Sequence, residues 1–403
     1  MKIVIAPDSF KESIDAAQAA QAIAEGVMEV CPSAQIDICP MADGGEGTVD
    51  AMIAATGGEF LTVDVFGPLG APVRAKFGML GDGQAILPGA IALAAADIAA
   101  NGSTGGSGGS TAVIEMAAAS GLCLVTSAMR DPMRASTYGT GQLIKAALDA
   151  GAKNIILGIG GSCTNDGGCG CMQALGVEFY DIDGELLRPG MGGADVADIA
   201  RIDASNLDRR ILGINFRVAC DVTNPFTGPT GASYIFGPQK GATEEMVRQL
   251  DKNLIHLAGL LRTEIGVDIE TVSGAGAAGG LGGGLMAFCE AKLENGGKLV
   301  ADAVSLPRRL IDADLCITGE GKIDSQSRFG KVPVRVANIA GKAGVSTACI
   351  GGMVADDAPF DLFFTIRAMA HGDITPQYSM THPAKLLKLR AKEIMTAFLS
   401  RKA

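Results

Sequence analysis

The chain has only three histidines, His256, His371 and His382, and none lies in a glycine-rich loop. A histidine base in such a loop is therefore excluded, and any proton acceptor is expected to be a carboxylate. No C-x-x-C pair occurs among the ten cysteines, Cys169-x-Cys171 is too tight for a zinc pair, and no histidine falls near a cysteine. That spacing argues against zinc and iron–sulfur clusters. Most cysteines sit inside apolar runs such as "RVACDV" and "STACIGG", as reduced core residues do. A Walker A loop is also missing. Lys298, Lys322, Lys331 and Lys342 each follow a glycine, but none precedes Ser or Thr.

There is no basic run, and the net charge is −11. Nucleic acid and anionic membrane are excluded as partners on that balance. No apolar stretch reaches the roughly 18 residues that a membrane span needs. The nearest, "AILPGAIALAAADIAA" at 85–100, contains Pro88 and Asp97. The opening "MKIVIAPDSFKES" has too short an apolar run for a signal peptide and reads as a buried strand, so a cytoplasmic protein is expected.

What is present is an alternation of strand and helix patterns. "KIVIAP" (2–7) is followed by a helical face of Ile14, Ala17, Ala20, Ile23, Ala24, Val27 and Val30. A strand at 35–41, a helix at 47–56, a helix at about 139–150 and a strand at 154–161 continue the pattern. A helix starting after Thr243, strands in "DLCITGE", "STACIGG" and "LFFTIR", and a terminal helix at about 383–402 complete it. The fold class is therefore α/β with largely parallel sheets. The strand pattern divides the chain into one unit of 1–60 with 290–403 and a second of 61–289. Residues 85–110 end in a run of Gly, Ser and Thr typical of linkers and read as an insertion.

Five polar loops follow strand patterns directly: "APDSFK", "MADGGEG", "GIGGSCTNDGG", "CDVTNP" and "ITGEGKID". Open α/β sheets bind ligands at that position. The loops carry Asp43 and Glu46, Asn165 and Asp166, Asp221 and Asn224, and Glu320, Lys322 and Asp324. Phosphoryl transfer needs donors for phosphate oxygens, carboxylates for Mg²⁺ and a group for the nucleophile's proton, and this set contains all three. Each residue also has a plainer reading. Asp-Gly pairs form turns, Asp221 can cap the next turn, and Lys11 and Lys240 can be solvated surface charges. A formal dinucleotide fingerprint, Gly274, Gly276 and Gly279 in "GAGAAGG", has "VDIETVS" before it and a helix after it. It keeps a nicotinamide-dependent hydroxyacid dehydrogenase open as an alternative, beside a catalytically silent metabolite-binding protein.

Six blocks, "MKIVIAPDSFKES", "MADGGEGTVDAMIAAT", "GIGGSCTNDGG", "ACDVTNPFTGPTGASYIFGPQKGA", "GAGAAGGLGGGLMAF" and "ITGEGKIDSQSRFGKVP", resemble in order the bacterial glycerate kinases of the type 1 family. The resemblance implies transfer of the ATP γ-phosphate to D-glycerate with Mg²⁺, giving 2-phosphoglycerate. It also implies two α/β domains, one flavodoxin-like and one restriction-enzyme-like, with the active site in the cleft between them. On that basis Asp43, Asp166 and Asp221 are expected to be catalytic, the last two as metal ligands. Substrate and phosphate are expected at Asp8, Ser9, Lys11, Gly44, Gly45, Glu46, Gly160, Gly161, Ser162, Asn165, Lys240, Gly276, Gly279, Glu320, Lys322 and Asp324. The protein is expected to work as a monomer or homodimer.

Overall fold

The structure is a computed structural model that describes residues 1–81 and 110–402. The expected insertion at 85–110 lies outside the described residues, apart from Ser110.

Strand β1 (Lys2–Ile5) lies inside a five-stranded parallel sheet with β2 (Gln35–Ile38), β11 (Leu315–Ile323), β12 (Ser346–Val354) and β13 (Thr365–Ala368), in the order β13-β12-β11-β1-β2. The run "KIVIAP" is apolar at successive positions because both faces of β1 are covered. Ile3 and Ile5 pack with Ile23 and Val27 of helix α1 (Ala16–Val30) and with Leu387 and Ile394 of the terminal helix. Val4 and Ala6 point the other way, into a layer shared with Val113, Ile156 and Ala219.

Those three residues belong to the second sheet. Its order is β10-β9-β6-β5-β4-β3, with β3 (Glu59–Phe66), β4 (Pro72–Met79), β5 (Thr111–Glu115), β6 (Asn154–Gly158), β9 (Asn215–Ala219) and β10 (Lys292–Glu294). Strands β5, β6, β9 and β10 run parallel, and β3 and β4 form an antiparallel margin. The second sheet thus runs from Glu59 to Glu294, slightly past both expected limits at 61 and 289. A small pair, β7 (Glu178–Tyr180) and β8 (Arg201–Asp203), stands apart.

One buried cation ties the first sheet to its neighbouring layer. Arg309 is 5% exposed and forms an ion pair with Asp37 of β2. It also donates to the carbonyls of Ala55 and, at 2.8 Å, Val304. A guanidinium can satisfy a carboxylate and two carbonyls at once, which an ammonium does less well.

The helices follow their caps. Asp15 accepts from the Gln18 N–H at the start of α1, and Thr243 accepts from the Met246 N–H at the start of the helix Glu244–Leu260. No helix among the described residues is long and apolar enough to cross a membrane.

Candidate active site

In the first sheet, β1 leads to β2 on one side, whereas β11, β12 and β13 step away on the other. The order reverses between β1 and β11, which makes a topological switch point. There β11 and β12 continue past the end of β1, pairing as far as Ile323 and Val354. The chain leaving β1 folds over this step, with the Asp8 N–H on the Gly319 carbonyl at 2.8 Å. A cavity of about 410 Å³ opens above it, lined by Asp8, Ser9, Lys11, Asp43, Glu320 and Lys322 among others. Six of the expected site residues therefore meet in one space, although they come from three distant segments.

Charge is concentrated in this cavity. Asp8 is 9% exposed and accepts the Ser9 N–H at 2.6 Å. Burial, then repulsion from Asp43, against the Ser9 hydrogen bond, pushes its pKa up to about 7; Glu320 adds to the rise and Lys11 opposes it. Glu320 pairs with Lys331 at 3.0 Å; burial still raises its pKa, with Lys331 opposing. Lys322 lies 3.0 Å from Asp324 and holds that carboxylate below its usual range. Lys331 joins the expected residues on the cavity wall. Its only signal in the sequence is membership of the block "SRFGKVP", since an ion pair over eleven residues leaves no periodic trace.

The loop of Asp43, Gly44 and Gly45, between β2 and the helix Thr48–Thr56, lies against the second sheet. The Asp43 carboxylate accepts the Gly45 N–H at 3.0 Å. Gly44 packs against Ala219 and Gly296, and Gly45 faces Gly160. Asp221, just beyond β9, accepts from the Gly296 N–H at 3.0 Å and from the Asn295 side chain. Its pKa is raised by burial and by Asp43, with the Gly296 hydrogen bond opposing. Asp43 thus couples electrostatically to Asp8 on one side and Asp221 on the other. Gly160 and Gly161 are exposed at the end of β6, while Ser162 is buried.

Several expected residues are placed elsewhere. Asp166 is fully buried, and both its oxygens are occupied. It accepts from the Thr137 N–H at 2.8 Å, the Thr137 hydroxyl at 2.7 Å, the Gly168 N–H at 3.1 Å and the Gly170 N–H at 3.3 Å. These bonds, three on Oδ2 and one on Oδ1, fix the start of the helix Cys169–Ala174, and the buried carboxylate does not line the cavity. Asn165 is also buried, donating to the Ser233 hydroxyl at 3.0 Å. Lys240 is not a surface charge. It is 1% exposed and donates to the Thr164 carbonyl at 2.7 Å, so it holds the loop from beneath. Burial lowers its pKa to about 8, with Cys163 and Asp166 opposing.

Gly276 and Gly279 are packed against backbone. A Cβ on Gly276 would lie 2.1 Å from the Pro225 carbonyl oxygen, and one on Gly279 would lie 2.0 Å from that of Thr164. These glycines let two backbones touch. No strand precedes them at 267–273, so the dinucleotide geometry is missing and the dehydrogenase alternative finds no support. Glu46 lines a neighbouring cavity of about 490 Å³ with Asp15 and Asp50, which meets the first only at Asp8 and Ser9.

Cys163, Cys169, Cys171 and Cys289 are buried, and burial raises the pKa of each thiol. Among the described residues no group of His, Cys, Asp and Glu is arranged to hold a metal by itself.

Comparison with known proteins places the chain in a family. A protein of Escherichia coli (strain K12) named glycerate 2-kinase is 50% identical over 357 residues, covering 89% of this chain and 86% of that one. A glycerate kinase of Bacillus subtilis (strain 168) is 45% identical over 400 residues, covering 98% and 97%. A crystal structure assigned as a glycerate kinase 2 from Salmonella typhimurium LT2 superposes with a TM-score of 0.86 at 43% identity, covering 100% of this chain and 99% of that one. The profile of the glycerate kinase family matches residues 3–399, and the chain belongs to that family.

Proposed function

We propose that the protein transfers the γ-phosphate of ATP to the 2-hydroxyl of D-glycerate, giving 2-phosphoglycerate. The observation that carries this reading is the clustering of Asp8, Asp43 and Glu320 with Lys11, Lys322 and Lys331 at the switch point of a parallel sheet, in a chain 50% identical to a glycerate 2-kinase. Phosphoryl transfer is positioning plus charge stabilisation, so it needs cations at the phosphates and one proton acceptor.

Asp8 suits the acceptor role. A carboxylate with a pKa of about 7 can take the hydroxyl proton near neutral pH, and Asp8 lies on the cavity wall. Lys11, Lys322 and Lys331 line the cavity and offset phosphate charge; the exposed residues Gly160 and Gly161, beside Gly45 and outside that lining, offer backbone to anionic oxygens from the second sheet.

The residues present fit Mg²⁺. This ion is usually held by one or two carboxylates together with substrate phosphates, so a complete protein cage is not needed. Asp43 and Asp221 would hold it. Each uses one oxygen on backbone or Asn295 and keeps the other without a hydrogen-bond partner among the described residues. Mg²⁺ supplies neutralisation of charge on the transferring phosphoryl group. Asp166 is left out of both roles because it is fully buried and does not line the cavity.

The test is to incubate the protein with ATP, Mg²⁺ and D-glycerate, couple ADP release to absorbance, and identify the product by NMR. ADP release with 2-phosphoglycerate is expected. The 3-phosphate would overturn the regiochemistry, and no ADP release would overturn the kinase reading.

A further inference from the structure

The strand order gives the 410 Å³ cavity a direction. Met369 follows β13, Met353 lies on β12, Glu320 and Lys322 lie on β11, Asp8 follows β1, and Asp43 lies beyond β2. Read across the sheet, the wall passes from thioethers on and after β12 and β13, through Glu320 and Lys322 on β11, to Asp8 and Lys11 after β1 and Asp43 beyond β2. Met380, on the short helix Pro376–Thr381, joins the thioether end. The Ser13 hydroxyl ties that helix to the loop after β1, donating to the Met380 carbonyl at 2.9 Å.

We propose that the β12–β13 end of this cavity, walled by Met353 and Met380 with the 1% exposed Met369 packed at its edge, seats the purine base of the nucleotide, with its phosphates passing over Lys322 and Lys331 toward Asp8 and Asp43. The inference rests on the kinase reading and deepens it by assigning the two substrates to opposite ends of the site. Three considerations fix the assignment. A three-carbon hydroxy acid has almost no apolar surface and would gain nothing from methionine walls, whereas a flat heteroaromatic ring does. A cavity of about 410 Å³ falls in the range that encloses a nucleotide-sized ligand and far exceeds what glycerate fills. The lysines next to the thioethers are already ion-paired, Lys331 with Glu320 and Lys322 with Asp324. They hold positive charge in place, ready to accept phosphate oxygens. The acceptor then lies at the opposite end, between Asp43 and the exposed Gly160–Gly161 backbone, where the two sheets meet.

The experiment labels the methionine methyl groups with ¹³C in the full-length protein and titrates ADP, inorganic tripolyphosphate and D-glycerate separately. ADP is expected to shift the Met353, Met369 and Met380 signals through the ring current of the base. Tripolyphosphate and D-glycerate should leave Met369 unmoved. The companion variant is Met353→Asn with Met380→Asn, two side chains that are 46% and 42% exposed. By calorimetry it should bind ADP at least tenfold more weakly and tripolyphosphate within twofold of the parent, and its KM for D-glycerate should also stay within twofold. Methyl shifts caused by D-glycerate in place of ADP, or unchanged ADP affinity in the variant, would overturn the assignment. The two readings fail separately. Turnover without ADP-induced methyl shifts sinks the base site alone. Methyl shifts without ADP release from D-glycerate sink the kinase reading and leave a nucleotide site standing.

Discussion

Gly158 and Gly44 meet backbone to backbone between the two sheets: a Cβ built on Gly158 would lie 2.7 Å from the Gly44 carbonyl oxygen. The neighbouring Gly296 is tighter still, 2.1 Å from the Asp43 carbonyl oxygen. These contacts set where the Asp43 carboxylate stands relative to Asp8 and Asp221. Adding a methyl group there cannot be absorbed by a flexible side chain, because the opposing atoms are main chain. Gly296→Ala is expected to lose about 1–3 kcal/mol of stability. It should also lower kcat/KM by about ten- to a hundredfold through misplacement of Asp43. Gly259→Ala is the control. Gly259 lies in the helix Glu244–Leu260 with nothing near its Cβ direction, so that variant should be neutral or slightly stabilised. Urea denaturation and steady-state kinetics on both variants check this.

The position of Asp8 predicts a pH profile. With its pKa near 7, kcat/KM should fall on the acid side with a midpoint close to that value. Asp43 contributes to the rise by repulsion, so Asp43→Asn should move the midpoint downward, whatever its effect on the plateau. A midpoint that stays put in Asp43→Asn would remove Asp8 as the titrating group. Stability follows with a definite sign. The folded pKa lies above the ordinary value of 3.8, so the native state binds more protons between roughly 4 and 7. The contribution of Asp8 is most favourable below that window and is lost as the pH rises through 7.

Asp43 and Asp166 both sit in Asp-Gly-Gly turns, yet they should fail differently. Asp43→Asn removes an exposed carboxylate and should lower kcat by about tenfold or more with little change in melting temperature. Asp166→Asn places an amide among four donors that now point at carboxylate oxygens. Stability should fall by about 3 kcal/mol, in the range for losing hydrogen bonds to a buried charge. The residual folded enzyme should keep its KM for both substrates. A melting temperature equal to that of the parent would show that Asp166 is not the anchor described above.

This contrast shows what the sequence conveys and what it hides. Strand β1, the cap at Thr243 and the loops at strand ends are local or periodic features, and all are legible in the chain. Burial is not local. "TNDGG" and "MADGG" have the same turn chemistry, and only tertiary packing closes the first over Asp166 while leaving Asp43 on the cavity wall. The glycines of "GAGAAGG" satisfy a fingerprint formally, but their cause is contact with the Thr164 and Pro225 carbonyls, more than 40 residues away in the chain. The thioether wall escapes any sequence pattern because its three methionines come from two strand ends and a short helix.

Lys240 makes the last prediction. It is buried with its ammonium on the Thr164 carbonyl, directly under the loop that presents Gly160 and Gly161. Its folded pKa of about 8 lies below the ordinary 10.5, so between those values the unfolded chain binds more protons than the native one. Stability must therefore gain from Lys240 as the pH rises from about 8 to 10.5, because the buried ammonium is neutralised while the unfolded one is not. Lys240→Met has no such group. The difference in unfolding free energy, parent minus variant, should increase across that interval, as measured by urea denaturation at a series of pH values. A difference that is flat with pH would mean that the ammonium is better solvated than its burial indicates. The loop itself loses one hydrogen bond in the variant, so kcat/KM should fall modestly at neutral pH, by less than the loss on Asp43→Asn, because Lys240 positions the loop and does not touch the reacting groups.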